Sequence, residues 1–111
     1  YNYATGTYSV VVGGGHSTSQ FVNCAKASNS GILGGKANLI DTAGTCSFIG
    51  TGCGNTVTGA NSVVVGGLSG EVFADCSFIG GGSKNTVSNK FGVVVGGSMN
   101  TACLILHIVH L

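Results

Sequence analysis

The chain has 111 residues, enough for one ordinary domain, with 21 Gly, no Pro and no Trp. Only 6% of the residues are charged and the net charge is +1, so four Lys/Arg cannot make the basic stripe of a nucleic-acid binder. The 43% hydrophobic content argues against disorder, and no apolar run reaches the roughly 18 residues of a membrane span.

In chain order, the first element is already a repeat fragment. Asn2-Tyr-Ala-Thr-Gly-Thr-Tyr-Ser-Val10 superposes without a gap on Asn55-Thr-Val-Thr-Gly-Ala-Asn-Ser-Val63. The sequence therefore opens in the middle of a repeat and reads as part of something longer. Apolar triplets followed by glycine then recur at Gly13, Gly34, Gly50, Gly66, Gly80 and Gly96, at intervals of 21, 16, 16, 14 and 16 residues. The triplets are short and β-branched, and Gly, Asn and Ser bound them, which is strand chemistry. Two strands and two turns in about 16 residues are too short for a propeller blade or a helical repeat and suit one coil of a narrow parallel β-roll.

Aligned on that glycine, the preceding position holds Val12, Leu33, Ile49, Val65, Ile79 and Val95, and the position before it includes Phe48 and Phe78. These eight are the expected core of the repeat. Four before the glycine stand Ser9, Ser30, Cys46, Ser62, Cys76 and Gly92. After it comes an Asn column, Asn38, Asn55, Asn85 and Asn100, able to hydrogen-bond as a ladder along the rod. About six coils spanning residues 1–103 would make a rod of roughly 30 Å. Residues 104–111 depart from the pattern and read as an apolar cap or an expression remnant. His107 and His110 lie there, and a plug for the roll end is favoured over a metal or anion site shared between copies.

Successive side chains on a strand point to opposite faces, and both faces of these triplets are apolar. One face fills the roll; the other needs a cover, for which the simplest candidate is another copy of the chain in a closed cyclic assembly.

The pattern Asn61-Ser-Val-Val-Val-Gly66, with Tyr8-Ser-Val-Val-Val-Gly13 and Ser77-Phe-Ile-Gly80, resembles the head repeats of trimeric autotransporter adhesins, which also have counterparts in phage tail fibres and surface proteins of large DNA viruses. The resemblance covers about residues 2–102. It implies a left-handed parallel β-roll, a homotrimer, and attachment to host cell-surface carbohydrate or a wall component. Val or Phe stands where the family pattern has Ala, and the coil lengths are less regular. Five Cys are out of place in a bacterial adhesin that crosses an oxidising space, so a viral spike or fibre on the virion surface is favoured over a bacterial cell-surface head.

The residues with possible chemistry are few. Cys24, Cys46, Cys53, Cys76 and Cys103 show no Cys-x-x-Cys spacing, which speaks against zinc. Cys46 and Cys76 share a repeat position but lie two coils apart; packing is favoured over an inter-chain disulfide. Asp41, Glu71 and Asp75 are the only acids, and Glu71 with Asp75 lacks an aromatic cleft for glycoside hydrolysis. Gly13-Gly-Gly15 and Gly80-Gly-Gly82 lack the Lys-Ser/Thr of a phosphate loop. The longest coil must bulge within residues 16–27, which makes His16, Gln20, Asn23 and Lys26 the receptor-binding candidates. An acyltransferase β-helix would repeat in 18-residue coils, and an ice-binding face would need an unbroken Thr array, which Leu39 and Glu71 interrupt. The expectation is a non-enzymatic module with no catalytic residue, no cofactor, no metal and no membrane insertion.

Overall fold

The computed structural model describes residues 1–103 and the strand Ile108–Val109. Apart from one turn of 3-10 helix at Ser19–Phe21, its regular structure is all β. Strands β1 (Asn2–Ala4), β3 (Asn23–Ala25), β5 (Leu39–Ile40), β7 (Thr56–Val57), β9 (Glu71–Val72), β11 (Thr86–Val87) and β13 (Thr101–Ala102) form one seven-stranded sheet, sheet A. The alternate strands, β2 (Val10–Val11), β4 (Gly31–Ile32), β6 (Phe48–Ile49), β8 (Val63–Val64), β10 (Phe78–Ile79), β12 (Val93–Val94) and β14 (Ile108–Val109), form sheet B. Neighbours within each sheet are parallel and two strands apart in sequence, so the chain is a parallel β-solenoid, measuring 36 × 24 × 17 Å.

The register sets a 15-residue step: Phe48 pairs with Val63, Val63 with Phe78, and Phe78 with Val93. Two earlier steps are longer, from Val10 to Gly31 and from Gly31 to Phe48. Their extra residues sit at corners. One is the segment around Ser19–Phe21. The other is the turn at Thr42, whose N–H donates to Asp41 Oδ1 at 2.8 Å. Corners can absorb insertions because a residue added within a strand would turn every following side chain to the wrong face.

This register corrects the expected core. Ile49 and Ile79 are buried, but Val12, Leu33, Val65 and Val95 are 47–67% exposed, and Phe48 and Phe78 are only partly buried on the outer face. The glycine is a misleading anchor. Phe48-Ile-Gly50 pairs against Val63-Val-Val65, so Gly50 takes the place of Val65 rather than of Gly66. The constant marker is serine: Ser47, Ser62 and Ser77 are 15 apart and buried, whereas Cys46 and Cys76 lie one position earlier and are exposed. The true core has one column from each sheet: Ile32, Ile49, Val64, Ile79 and Val94 from sheet B, and Ala25, Ile40, Val57, Val72, Val87 and Ala102 from sheet A. At roughly 1.5–3 kcal/mol for each large side chain buried, these columns are the main apolar contribution to the fold.

Two polar ladders run beside that core. Asn23, Asn38 and Asn55 are buried in successive coils, and Asn85 continues the column after Gly70. Asn55 Nδ2 donates to the carbonyls of Thr51 at 3.3 Å and Gly67 at 3.0 Å, while its Oδ1 accepts the Gly70 N–H at 2.8 Å. Asn38 and Asn85 repeat the pattern toward Gly52 and Gly97. Each amide thus ties a corner to the strand of the next coil and satisfies backbone groups that the solenoid would otherwise bury unpaired. The serine ladder does the same at the other corner: Ser62 N–H donates to Ser47 Oγ at 3.0 Å, and Ser77 N–H to Ser62 Oγ at 3.1 Å.

The corners also need left-handed backbone. Gly67 has φ +102°, and a Cβ there would strike the Gly82 carbonyl of the next coil. Stacked glycines are therefore required twice, by conformation and by contact. At the opposite corner the left-handed residue need not be glycine: Tyr8, Asn29, Cys46, Asn61, Cys76 and Phe91 all have φ of 54–63°. The segment expected to be a separate tail carries β14, which pairs Ile108 and Val109 with Val93 and Val94. His107 and His110 lie outside the described residues.

Candidate interaction surface

Outward-facing side chains of sheet B form the first surface. Flanking the buried column are two rows: Val10, Phe48, Val63, Phe78 and Val93 on one side, and Val12, Leu33, Val65 and Val95 on the other. Their bulk is complementary. Where the first row has Phe48 or Phe78, the second has Gly50 or Gly80, and the ring edge lies 3.6 or 3.4 Å from the position a glycine Cβ would take. Where the first row has Val63 or Val93, the second has Val65 or Val95. These four rungs present similar apolar bulk, whereas the rung between Val10 and Phe48, with Gly31 beside Leu33, presents less. A shallow depression of about 440 Å³ remains over Gly50, between Leu33 and Val65. None of the seven charged side chains, Lys26, Lys36, Lys84, Lys90, Asp41, Glu71 and Asp75, belongs to these rows.

The long corner is the second surface, and it only partly matches the expected binding residues. His16 and Gln20 are exposed there. His16 Nδ1 accepts the Thr18 N–H at 3.2 Å, which places the proton of the neutral ring on Nε2. The His16 ring meets Phe21 edge-on, with centroids 5.3 Å apart, and Lys36 Nζ lies 5.4 Å from the centre of the Phe21 ring. Asn23 must be removed from the candidates. It is fully buried, its amide donates to the Gly35 carbonyl at 2.9 Å, and it is a rung of the ladder. Lys26 is exposed, but on the strand side beyond β3 and not in the His16 cluster. Phe21 and Lys36 were missed; a phenylalanine inside the longest insertion was the available signal.

A third surface lies at the corner that follows the sheet A strands. Phe73, Ala74 and Asp75 of one coil and Ser88, Asn89 and Lys90 of the next line an open depression of about 410 Å³. Asp75 Oδ1 accepts the Ala60 N–H at 2.8 Å. An aromatic side chain does stand beside Asp75, contrary to the sequence expectation. Glu71 is exposed on the outer face of β9, paired in register with Thr56 and Thr86, and does not line this depression.

All five cysteines are free thiols. Cys46, Cys76 and Cys103 are exposed. Burial pushes the Cys24 thiol pKa upward, a shift that Lys26 opposes and Asp41 reinforces. Among the described residues, no three His, Cys, Asp or Glu side chains group to hold a metal ion, and no helix is long and apolar enough to cross a membrane. Compared with known protein families, curated proteins and solved structures, the chain matches none.

Proposed function

We propose that this chain is a non-enzymatic structural module of a viral spike or fibre, in which three copies of a left-handed solenoid assemble side by side and help attach the particle to carbohydrate on a host cell. The observation that carries this reading is the outer face of sheet B. Six rungs at about 4.8 Å give a strip about 24 Å long, apolar throughout and free of charge. Val12, Leu33, Val65 and Val95 are about half or more exposed on a single chain. Parallel sheets are ordinarily covered on both faces, and a contiguous apolar strip with all charge kept elsewhere marks an interaction site. A second and third copy cover it by closed symmetry without a different partner. The depression over Gly50 is a socket for a neighbour's side chain.

Five free thiols fit assembly in a reducing compartment, as for a virus particle, better than export through an oxidising one. A bacterial adhesin head is the alternative setting for the same assembly. Sedimentation at micromolar concentration tests the reading: the chain is expected as a trimer, and V65K or V95E should abolish it. A wild-type chain that sediments as a stable folded monomer would refute it. Binding of the isolated trimer to cells, lost after enzymatic deglycosylation of their surface, tests attachment.

A further inference from the structure

We propose that the corner formed by Phe73, Asp75, Asn89 and Lys90 is a binding site for a neutral pyranose ring. This deepens the attachment reading and rests on it. The site joins two coils through the 15-residue register: Val72 pairs with Val87, so the residues that follow, Phe73 and Ser88, then Asp75 and Lys90, stand side by side. The depression they line, about 410 Å³, has the size of a small-molecule site.

Phe73 is 54% exposed. Its counterparts in the neighbouring coils are Thr58 and Ser88, so no apolar column exists for the ring to join. The ring is a free aromatic platform. Asp75 is held by the Ala60 N–H at one oxygen, Oδ1, which orients the carboxylate and leaves Oδ2 to accept from a ligand. Lys90 adds an ammonium donor, and the Asn89 amide both donates and accepts.

A pyranose has the complementary chemistry. Its axial C–H bonds form an apolar face that stacks on an aromatic ring, and its hydroxyls form a rim that donates to a carboxylate and accepts from an ammonium. Asp75 and Lys90 offset each other in charge. With no net charge at the corner, a ligand needs none of its own, and the hydroxyls of a neutral ring can satisfy both groups at once. The corner is not part of the outer face of sheet B, so assembly through that face leaves it open. Three copies would present three sites and raise a weak single-site affinity by avidity.

The test is a heteronuclear NMR titration of the assembled protein with methyl glycosides of neutral hexoses. Shifts are expected at Ala74, Asp75, Ser88, Asn89 and Lys90, with a Kd on the order of 1 mM. F73A should weaken binding about tenfold or more, and D75N several-fold; an Asn oxygen can still accept the Ala60 N–H, so the urea midpoint should hold. No shift for any glycoside up to about 50 mM, shifts confined to another surface, or preference for an acidic sugar would overturn the site. Cell binding separates the two readings. A double variant F73A/D75N that still attaches to cells overturns the sugar site and leaves attachment standing. A wild-type protein that binds glycosides at this corner but binds no cell keeps the site and defeats attachment.

Discussion

Replacing Asn55 by Ala should remove the centre of the asparagine ladder. Asn55 is fully buried, and its amide makes bonds that no other group replaces. The Gly70 N–H loses its acceptor, Asn55 Oδ1, and is left unpaired in the interior. An orphaned buried donor costs about 1–3 kcal/mol. The contacts to the Thr51 and Gly67 carbonyls go as well, at about 0.5–1.5 kcal/mol each, since the Gly67 oxygen keeps its bond from Cys53 N–H. The expected loss is about 2–6 kcal/mol, a large share of the 5–15 kcal/mol typical of a folded domain. Asn2 is the control, because it makes similar bonds at the exposed first rung. N2A should cost less than N55A, because water can reach the Gly13 and Gly14 carbonyls at this exposed end, although the Asn23 N–H, 3.3 Å from Asn2 Oδ1, also loses its acceptor. Urea unfolding followed by circular dichroism, at one fixed protein concentration, gives both values provided the slope is unchanged. Equal losses in the two variants, or a loss below about 1 kcal/mol for N55A, would refute the claim that buried amides lock the coils together.

Gly70 interrupts the ladder, and no side-chain oxygen reaches across to Asn85 there. G70N should restore the missing rung and raise stability by about 0.5–1.5 kcal/mol, read as a higher urea midpoint; a lower midpoint would mean that Asn55 Oδ1, 3.1 Å from the new Cβ, cannot yield. Phe91 holds φ +63° at a position where Asn29 and Asn61 serve elsewhere, so F91N should stabilise by up to about 1 kcal/mol; thermal unfolding would show an unchanged or lower midpoint if the left-handed turn carries no strain. Cys46, Cys76 and Cys103 should react with a thiol reagent first and Cys24 last, with Cys24 labelling rising only above the ordinary thiol pKa; mass spectrometry of partly labelled protein that finds Cys24 among the first would contradict its burial. Because the folded state holds the Cys24 proton more tightly, its contribution to stability is present below the ordinary thiol pKa and is lost as pH rises through the raised one.

The solenoid was legible in the sequence because its punctuation repeats: Asn-Thr-Val before one corner, an apolar triplet before the other. What it concealed was the register, for a physical reason. Glycine plays two roles here. Gly66 belongs to a corner, but Gly50 and Gly80 lie within the outer face beside Phe48 and Phe78, where a Cβ would strike the Val65 and Val95 carbonyls of the next coil. Counting from glycine mixes the roles and shifts four valines and leucines from the outer face to the core. Counting from Ser47, Ser62 and Ser77 does not, because their hydroxyls bond the same backbone groups in each coil. The corner sites suffered from the same slip. His16 and Gln20 follow from loop length alone. The pairing of Asp75 with Lys90, or of Phe21 with Lys36, appears only once the step between coils is known.

The exchange of Phe-Ile-Gly for Val-Val-Val along sheet B has an evolutionary corollary. A phenylalanine introduced without its glycine makes a bump, and a glycine without its phenylalanine leaves a dent, as Gly31 beside Leu33 does, so a flat profile requires the two rows to change together. Whole coils have no such restriction: duplicating one adds a rung of about 4.8 Å and leaves every neighbour in step. Such a rod can grow or shorten in fixed increments, while its outer profile is preserved only through paired mutations.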